Sequence, residues 1–436
     1  MLRRFHGLSR RTLLLTSLSG PVLGACRPTR PAAQPPQAQK PPVTITFAAH
    51  GDQSWQEFWN KVVGRFNARG TRITAEFHSE PDPWNKYVVL MAAGTMYDTF
   101  RNEEKRLPEF VNSGALLDIT DFARKDKEAN KEDFPPTVWD EFFWNGRMYG
   151  FGHDLSPAVI FYNRRLFKER ALLPPPTRWG DPSWNWAVFI ERLKQLSSQT
   201  GSGPRFGLAG NTWWVYQHPW VWANGGTIVS PDQKTVVLDQ PATVEALEYY
   251  ANLRFVHGVL AHGSADLPQG AARAFEESQV AMYIDNTSYT IRMRQLQDQF
   301  DWEMAPYPTG RAGAFTRVPN NLCSAWVGTK YPEESWEFLK FMASKEATWD
   351  ARGVPSRISV ANSQEFLTRT SGQNWGLLRD AALARKSEVL SPYFNYFDRT
   401  LNAAWAEVLD GKRAVKEMAT ELRPRLQRIL NGEERG

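Results

Sequence analysis

The chain has 436 residues, of which 42% are hydrophobic and 23% are charged. This apolar content is enough for a folded core and excludes a disordered chain, and the length favours two domains. No run approaches the ~20 apolar residues of a membrane-spanning helix, which excludes an integral membrane protein but not an anchored one.

The formal net charge of +5 misrepresents the folded part of the chain. Residues 1–42 carry seven basic residues and no acid, which leaves residues 43–436 with a net charge of −2. Nucleic-acid binding needs a basic folded face, so no nucleic-acid partner is expected. The 18 Trp residues are mostly expected in the core, but some are expected to line a site for a ligand with flat apolar faces, such as a sugar.

Residues 1–26 are predicted to be an export signal. A basic start ends in Ser9-Arg10-Arg11-Thr12-Leu13-Leu14, which resembles a twin-arginine signal, and a short apolar stretch follows. The sequence Leu23-Gly24-Ala25-Cys26 resembles a bacterial lipobox. That resemblance implies that Cys26 receives a lipid and becomes the mature N-terminus; the alternative is an ordinary signal with an accidental Cys.

The next segment, residues 27–42, consists largely of Pro, Ala and Gln. It is predicted to be an extended tether that reaches about 50 Å at ~3.1 Å per residue. With Cys26 lipidated, Cys323 has no partner, so it is expected to be a buried apolar residue outside any disulfide.

From residue 43 onward, predicted strands and helices alternate. Strands are predicted at residues 43–48, 73–77 and 158–162, from apolar and polar alternation or apolar runs. Helices are predicted at residues 55–67, 84–93, 186–197, 243–256, 335–342 and 401–430, the last with a break at Gly411. The opening β-α-β-α order predicts an α/β fold.

Seven short segments, taken in order along the chain, resemble one known family. They are WNKYVVLMAAGT (84–95), LPEFVNSGALLDI (107–119), NGRMYG (145–150), FYN with LF (161–167), PWVWANGG (219–226), QVAMYI (279–284) and SWEFLKFM (335–342). The family is the extracellular solute-binding proteins of ABC importers, family 1, which mostly carry sugars.

The resemblance implies a two-lobed periplasmic-binding-protein fold, type II-like, with a ligand cleft between lobes joined by hinge crossings. Lobe one is predicted at 43–155 plus 305–345, and lobe two at 156–304 plus 346–436. The implied function is capture of a neutral sugar or short oligosaccharide and its delivery to ABC permease subunits with their cytoplasmic ATPase. The implied protein is a monomeric lipoprotein on the outer face of the cytoplasmic membrane, with no enzymatic activity, cofactor or metal.

Ligand-binding side chains are expected at strand ends, loops and lobe crossings. Aromatic rings can stack on the apolar faces of a sugar, while Asp, Asn and Arg can bond its hydroxyl groups. The candidates are Asp52, Asn102, Asp154, Trp213, Trp214, Asn286, Tyr289, Asn321, Arg357 and Tyr393.

Several of these candidates have alternative readings. Asp52 can instead cap the following helix, and Arg357 can instead form a surface salt bridge. Trp213 and Trp214 are adjacent in a predicted loop, so at least one is expected outside the core. Tyr393 is assigned to an aromatic loop at residues 392–397 that could close over a sugar.

Three other functions remain open from the sequence. A polyol phosphate such as glycerol phosphate would need an Arg cluster or a helix N-terminus in the cleft. A secreted, lipid-anchored glycoside hydrolase would need two carboxylates at a set separation. A sensor role is indistinguishable from transport. The seven His residues are scattered, and neither a P-loop nor a Gly-x-Ser-x-Gly motif is present.

Overall fold

A computed structural model describes residues 40–51, 53–81, 83–200, 203–369, 372–382, 386 and 388–435. The predicted signal with Cys26, most of the tether, and Asp52 lie outside the described residues. Residues Pro42–Gly436 form one compact unit.

The strands and helices of this unit alternate along the chain. The strands in the described residues are β1 (Val43–Ala49), β2 (Ile73–Ser79), β3 (Thr99–Glu103), β4 (Phe143–Trp144), β5 (Arg147–Met148), β6 (Phe151–Leu155), β7 (Ala158–Asn163), β8 (Ser198–Thr200), β9 (Gly203–Gly210), β10 (Val280–Asn286), β11 (Trp302–Ala305), β12 (Asn320–Ala325) and β13 (Val354–Pro355). The α-helices are α1 (Gln53–Ala68), α2 (Pro83–Ala92), α3 (Leu107–Asn112), α4 (Thr120–Lys125), α5 (Pro136–Asp140), α6 (Arg164–Glu169), α7 (Trp186–Leu196), α8 (His218–Ala223), α9 (Pro241–Phe255), α10 (Gly263–Asp266), α11 (Ala271–Glu276), α12 (Thr290–Gln295), α13 (Pro332–Met342), α14 (Lys345–Thr348), α15 (Ile358–Ala361), α16 (Gln364–Leu367), α17 (Trp375–Ala381), α18 (Phe394–Leu409) and α19 (Val415–Leu430).

The strands form two main sheets. The first sheet has the order β13-β6-β12-β3-β1-β2, and the second has the order β11-β7-β10-β9-β8. In the first sheet β1 is parallel to β2 and β3, while β12 is antiparallel to its neighbours. In the second sheet β10 is parallel to β9 and antiparallel to β7. The predicted α/β class is confirmed, as are the strands predicted to begin at residues 43, 73 and 158.

The chain passes directly from one sheet to the other. It leaves the first sheet after Leu155 and enters the second at Ala158, and it returns between Ala305 and Asn320. The short strand β13 pairs with β6 in the first sheet, although it lies within the residues assigned from sequence to lobe two.

The helices pack by the amphipathic patterns of their sequences. In α19 the buried residues recur at helical spacing, from Val415 and Met418 to Leu426 and Ile429. None of the described helices is long and apolar enough to cross a membrane. The predicted burial of Cys323 is confirmed.

One sequence prediction was wrong. Residues 392–397 do not form an aromatic loop, because α18 already begins at Phe394. Phe394, Phe397 and Leu401 are buried on one face at spacings of three and four, the apolar face of a helix. The cluster of aromatic residues concealed this helical period.

Candidate ligand cleft

Polar side chains converge where β1 and β3 end. Because these strands are parallel neighbours, their carboxyl ends lie at the same edge of the first sheet, the edge at which open α/β sheets bind ligands. We call His50, Arg101, Glu103 and Lys105 the polar row. Arg101 Nη1 lies 3.1 Å from His50 Nδ1, and Lys105 Nζ lies 2.9 Å from Glu103 Oε2.

One carboxylate and two cations of the polar row lie in contact with one another. Burial alone would raise the pKa of Glu103, but Lys105 and Arg101 hold that pKa well below its ordinary value. Burial, and then the charge of Arg101, lower the pKa of His50 to about 3, so its ring is neutral. The row therefore presents one partly buried carboxylate held between two cations.

The polar row is fixed to the crossing between the sheets. Arg101 Nη2 donates a hydrogen bond to the side-chain oxygen of Asn321, and Asn321 Nδ2 donates to Asp154 Oδ1 at 3.0 Å. Asp154 Oδ2 also accepts from the backbone N–H of Gly353 at 2.9 Å. Asp154 and Asn321, both predicted from the sequence as candidates, are buried, and this chain of hydrogen bonds holds the Arg101 side chain in place.

The second sheet contributes a partly buried acid at the end of β10. Asp285 accepts hydrogen bonds from the hydroxyl groups of Tyr216 at 2.9 Å and Tyr283 at 2.7 Å. Burial raises the pKa of Asp285. The predicted residue Asn286 follows it and donates from Nδ2 to the Tyr216 hydroxyl at 3.2 Å.

Cationic and aromatic side chains meet across the cleft. Lys105 Nζ lies 4.7 Å from the ring centre of Trp213 and 5.7 Å from that of Phe394. The guanidinium of Arg317 lies 5.3 Å from the same Trp213 ring and is paired with Glu388 at 3.1 Å. Trp213 thus contacts cations from both the first sheet and the crossing segment.

A cavity of about 430 Å³ lies between the sheets beside these groups. This volume is within the usual range for small-molecule sites. The cavity is lined by Gln53, Trp55, Asp285, Ser288, Tyr289, Ile291, Arg292, Gln295 and Arg352. The guanidinium carbon of Arg352 lies 3.2 Å from the ring centre of Trp55. A larger groove of about 850 Å³ lies around Phe66 and Trp336, where no second-sheet residue contributes to its lining.

Other sequence candidates lie apart from this cavity. Asn102 is buried in the first sheet and donates to Ser324 Oγ at 3.2 Å. Trp214 is 1% exposed in the core of the second sheet, whereas Trp213 is half-buried. Arg357 pairs with Asp133 at 3.3 Å, as expected if it forms a salt bridge instead of binding ligand. The hydroxyl of Tyr393 lies against Gly432 after α19.

Sequence reasoning missed Glu103, Lys105, Trp55, Arg352 and Asp285. One signal was available for β3, because successive side chains of a strand point to opposite faces. Asn102 therefore lies on one face of the first sheet, and its neighbours Arg101 and Glu103 both lie on the other face. No local signal marked Arg352, which reaches Trp55 from almost 300 residues away in the sequence. Among the described residues, no group of three or more His, Cys, Asp or Glu side chains could hold a metal ion.

Comparisons with known proteins agree with this architecture. An ABC substrate-binding protein of Listeria monocytogenes, solved with cycloalternan, is 19% identical and has a TM-score of 0.79, covering 89% of this chain and 99% of its own. The GacH receptor of Streptomyces glaucescens, solved unliganded and with acarbose, is 19% identical with a TM-score of 0.77, covering 90% and 99%. These likenesses confirm the two-lobed periplasmic-binding-protein fold.

A sequence relative and a family model extend the comparison. A protein of Streptomyces antibioticus named as a lipoprotein is 24% identical over 344 residues, which are 74% of this chain and 70% of the relative. The family model described as bacterial extracellular solute-binding protein matches residues 52–349. That match covers more than half of the chain, and the chain therefore belongs to the family of bacterial extracellular solute-binding proteins.

Proposed function

We propose that the chain captures a neutral sugar or short oligosaccharide in the cleft and delivers it to an ABC importer in the membrane. The observation that carries this proposal is the cavity of about 430 Å³ between the two sheets, where Trp55 and Tyr289 stand beside Asp285 and Arg352. Aromatic rings can contact the apolar faces of a sugar, and the fixed polar groups can bond its hydroxyls. The two similar structures solved with cycloalternan and acarbose support the same ligand class.

Three cations near the cleft are already engaged by carboxylates, which favours a neutral ligand over a polyol phosphate. A phosphate needs cations whose charge is not already engaged. Arg101 and Lys105 both contact Glu103, at 3.4 Å and 2.9 Å, and Arg317 is paired with Glu388. A dianionic ligand would have to compete with these carboxylates for each of these three cations.

The predicted residues have different parts in this proposal. Tyr289 and Asn286 stand at the second-sheet wall, where they can contact ligand or position Asp285. Asp154 and Asn321 position Arg101. Trp213 holds Lys105 across the cleft and becomes available to a sugar when that contact opens by a hinge motion.

We also propose that the protein is anchored outside the cytoplasmic membrane. In this proposal the signal is cleaved immediately before Cys26, and the lipidated Cys26 becomes the mature N-terminus. Residues 27–42 then tether a monomeric body whose partners are the permease and its cytoplasmic ATPase. The Leu-Gly-Ala-Cys sequence and the relative named as a lipoprotein support it. Labelling with a radioactive fatty acid in wild-type and Cys26→Ser cells tests it; equal labelling of the two would contradict it.

Thermal melting of the purified full chain against a panel of neutral sugars and oligosaccharides tests the ligand class. A ligand that binds only the folded state raises the melting temperature by mass action. We expect at least one neutral sugar to raise it and polyol phosphates to have no effect through the cleft. A shift with polyol phosphates alone, abolished by Trp55→Ala, would instead assign the cleft to phosphorylated ligands.

A further inference from the structure

A second cavity, of about 540 Å³, lies at the opposite end of the second sheet from Asp285. Trp302, in its wall, begins β11 and pairs with Asn163 at the end of β7, whereas Ala158 at the start of β7 pairs with Asn286. The cavity is lined by Arg164, Arg294, Gln297, Asp298, Phe300, Asp301, Trp302, Arg369 and Gln373. Three arginines therefore face one space away from the cleft.

Two of these arginines have no carboxylate partner among the described residues. Arg369 stacks on Trp375, with its guanidinium carbon 3.8 Å from the ring centre, and donates to the carbonyl oxygens of Ala351 at 2.8 Å and Gly353 at 3.3 Å. Its Nε is buried and meets no acceptor in the described part of the chain. Arg294 lies 5.9 Å from the same Trp375 ring, and no hydrogen bond or ion pair joins it to a described residue.

The surroundings disfavour the charges of both arginines. Burial lowers the pKa of Arg294, and burial followed by repulsion from Arg294 lowers the pKa of Arg369. Desolvated charges are expensive to maintain without an opposite charge. A ring shared by two cations compensates only part of that cost.

The acidic residues of the cavity do not supply the missing charge. Asp301 is already contacted by Arg164 at 3.4 Å and by Lys168 at 3.0 Å. Asp298 is exposed, so water and salt screen its field. Arg164, the third arginine, is neutralised by Glu303 at 2.6 Å. No carboxylate of the cavity lining is therefore left to pair with Arg294 or Arg369. The charge of Asp350 acts on both arginines and that of Asp154 on Arg369, but without an ion pair, and Asp350 is itself paired with Arg65 at 2.6 Å.

We propose that Arg294 and Arg369 form a second binding site, for a small oxyanion, separate from the carbohydrate cleft. A phosphate or carboxylate group has several acceptor oxygens, and guanidinium groups bind such oxygens in pairs. Bound between the two side chains, the anion would accept hydrogen bonds from the guanidinium groups of Arg294 and Arg369. It would also cancel the repulsion between them.

The site also lies behind the cleft wall. Arg369 holds the carbonyl oxygens of Ala351 and Gly353, and between these two residues Arg352 extends to Trp55 at the cleft. An anion that shifts Arg369 therefore acts on the segment that supports the cleft cavity.

Calorimetric titration of the full chain with inorganic phosphate and, separately, with succinate tests the proposal. Sodium chloride keeps the ionic strength constant. We expect one of the two anions to bind with a stoichiometry of one and Arg294→Gln to weaken that binding at least tenfold. Arg294 is the better target because no described residue accepts a hydrogen bond from it, so the fold should tolerate its loss. Phosphate alone would identify a phosphate group as the ligand, and succinate alone a carboxylate.

Two controls make the result decisive. Arg124→Gln removes the same charge from an exposed site on α4, where the side chain is 72% exposed, and should leave anion binding unchanged. Trp55→Ala changes the carbohydrate cleft and reaches the anion site only through Arg352, so it should not abolish anion binding. The proposal is overturned if neither anion binds, if Arg124→Gln weakens binding as much as Arg294→Gln, or if Trp55→Ala abolishes binding.

Discussion

Replacing Lys105 by Met removes a buried charge that contacts both sides of the cleft. The Lys105 side chain is 5% exposed, and that of Glu103 is 15% exposed. Met retains most of the aliphatic contact with Trp213 and Phe394 but neither the ion pair nor the cation–π contact. The variant therefore isolates the electrostatic part of the contact.

The loss of stability in Lys105→Met depends on the charges that remain around Glu103. Removing one partner of a buried ion pair costs about 3–5 kcal/mol when it strands the other charge. Glu103 is not stranded completely, because Arg101 Nη1 stays 3.4 Å from it. We therefore expect the free energy of unfolding to fall by roughly 2–3 kcal/mol at neutral pH. Since Lys105 and Arg101 depress the folded pKa of Glu103, the stability from this pair is lost as pH falls through the carboxyl range, and the variant should then approach wild type.

Denaturant unfolding of wild type, Lys105→Met, Glu103→Gln and the double variant measures the coupling directly. We expect a coupling energy of about 2 kcal/mol, with the double variant more stable than Lys105→Met alone. A coupling below about 0.5 kcal/mol, the usual limit of additivity, would refute the electrostatic account of the polar row.

Three further predictions concern single buried positions. Burial, together with the neighbouring Glu141, raises the pKa of Glu104 to about 8. Between about pH 4.3 and pH 8 the folded state keeps a proton on Glu104 that the unfolded state releases, so the free energy of unfolding should fall as pH rises. Thermal melts of Glu104→Gln at several pH values should lack this part of the pH dependence. A pH dependence equal to that of wild type would contradict the prediction. Gly353→Ala places a Cβ 2.0 Å from the carbonyl oxygen of Leu155, so we expect the free energy of unfolding in urea to fall by at least about 2 kcal/mol. An unchanged free energy of unfolding would contradict this close contact. Cys323 is buried and its pKa is raised by burial, so a thiol reagent should label it only at the rate of unfolding; fast labelling of the native protein would contradict its placement.

The fold was accessible from sequence because its signals are local. Alternation marked β1, helical spacing marked α1 and α13, and the order of short segments marked the family. The failure at residues 392–397 was also local, since the dense aromatic residues concealed the helical spacing of Phe394 and Phe397.

The cleft was less accessible because its geometry depends on distant parts of the chain. Asn321 contacts Arg101 from 220 residues away, and that contact decides which face of β3 is turned to the cleft. Asn102 was a plausible candidate by residue type. The alternation of the strand instead places its side chain on the face of the sheet opposite to Arg101 and Glu103, where Ser324 accepts its hydrogen bond. Residue type suggested candidates, whereas pairing across the sheet selected the side chains that face the cavity.

Calorimetric titration of neutral sugars and oligosaccharides into wild type, Trp55→Ala and Trp349→Ala shows whether the cleft binds a neutral sugar. Trp55 lines the cleft cavity, whereas Trp349 is 37% exposed and is not among the cavity-lining residues. If a sugar covers part of the Trp55 ring, the loss should be about 1.4 kcal/mol or more, which is tenfold in the dissociation constant. We expect one sugar class to bind with a stoichiometry of one, about tenfold more weakly in Trp55→Ala and equally well in Trp349→Ala. Equal affinity in all three proteins, or no binding by any neutral sugar, would contradict it.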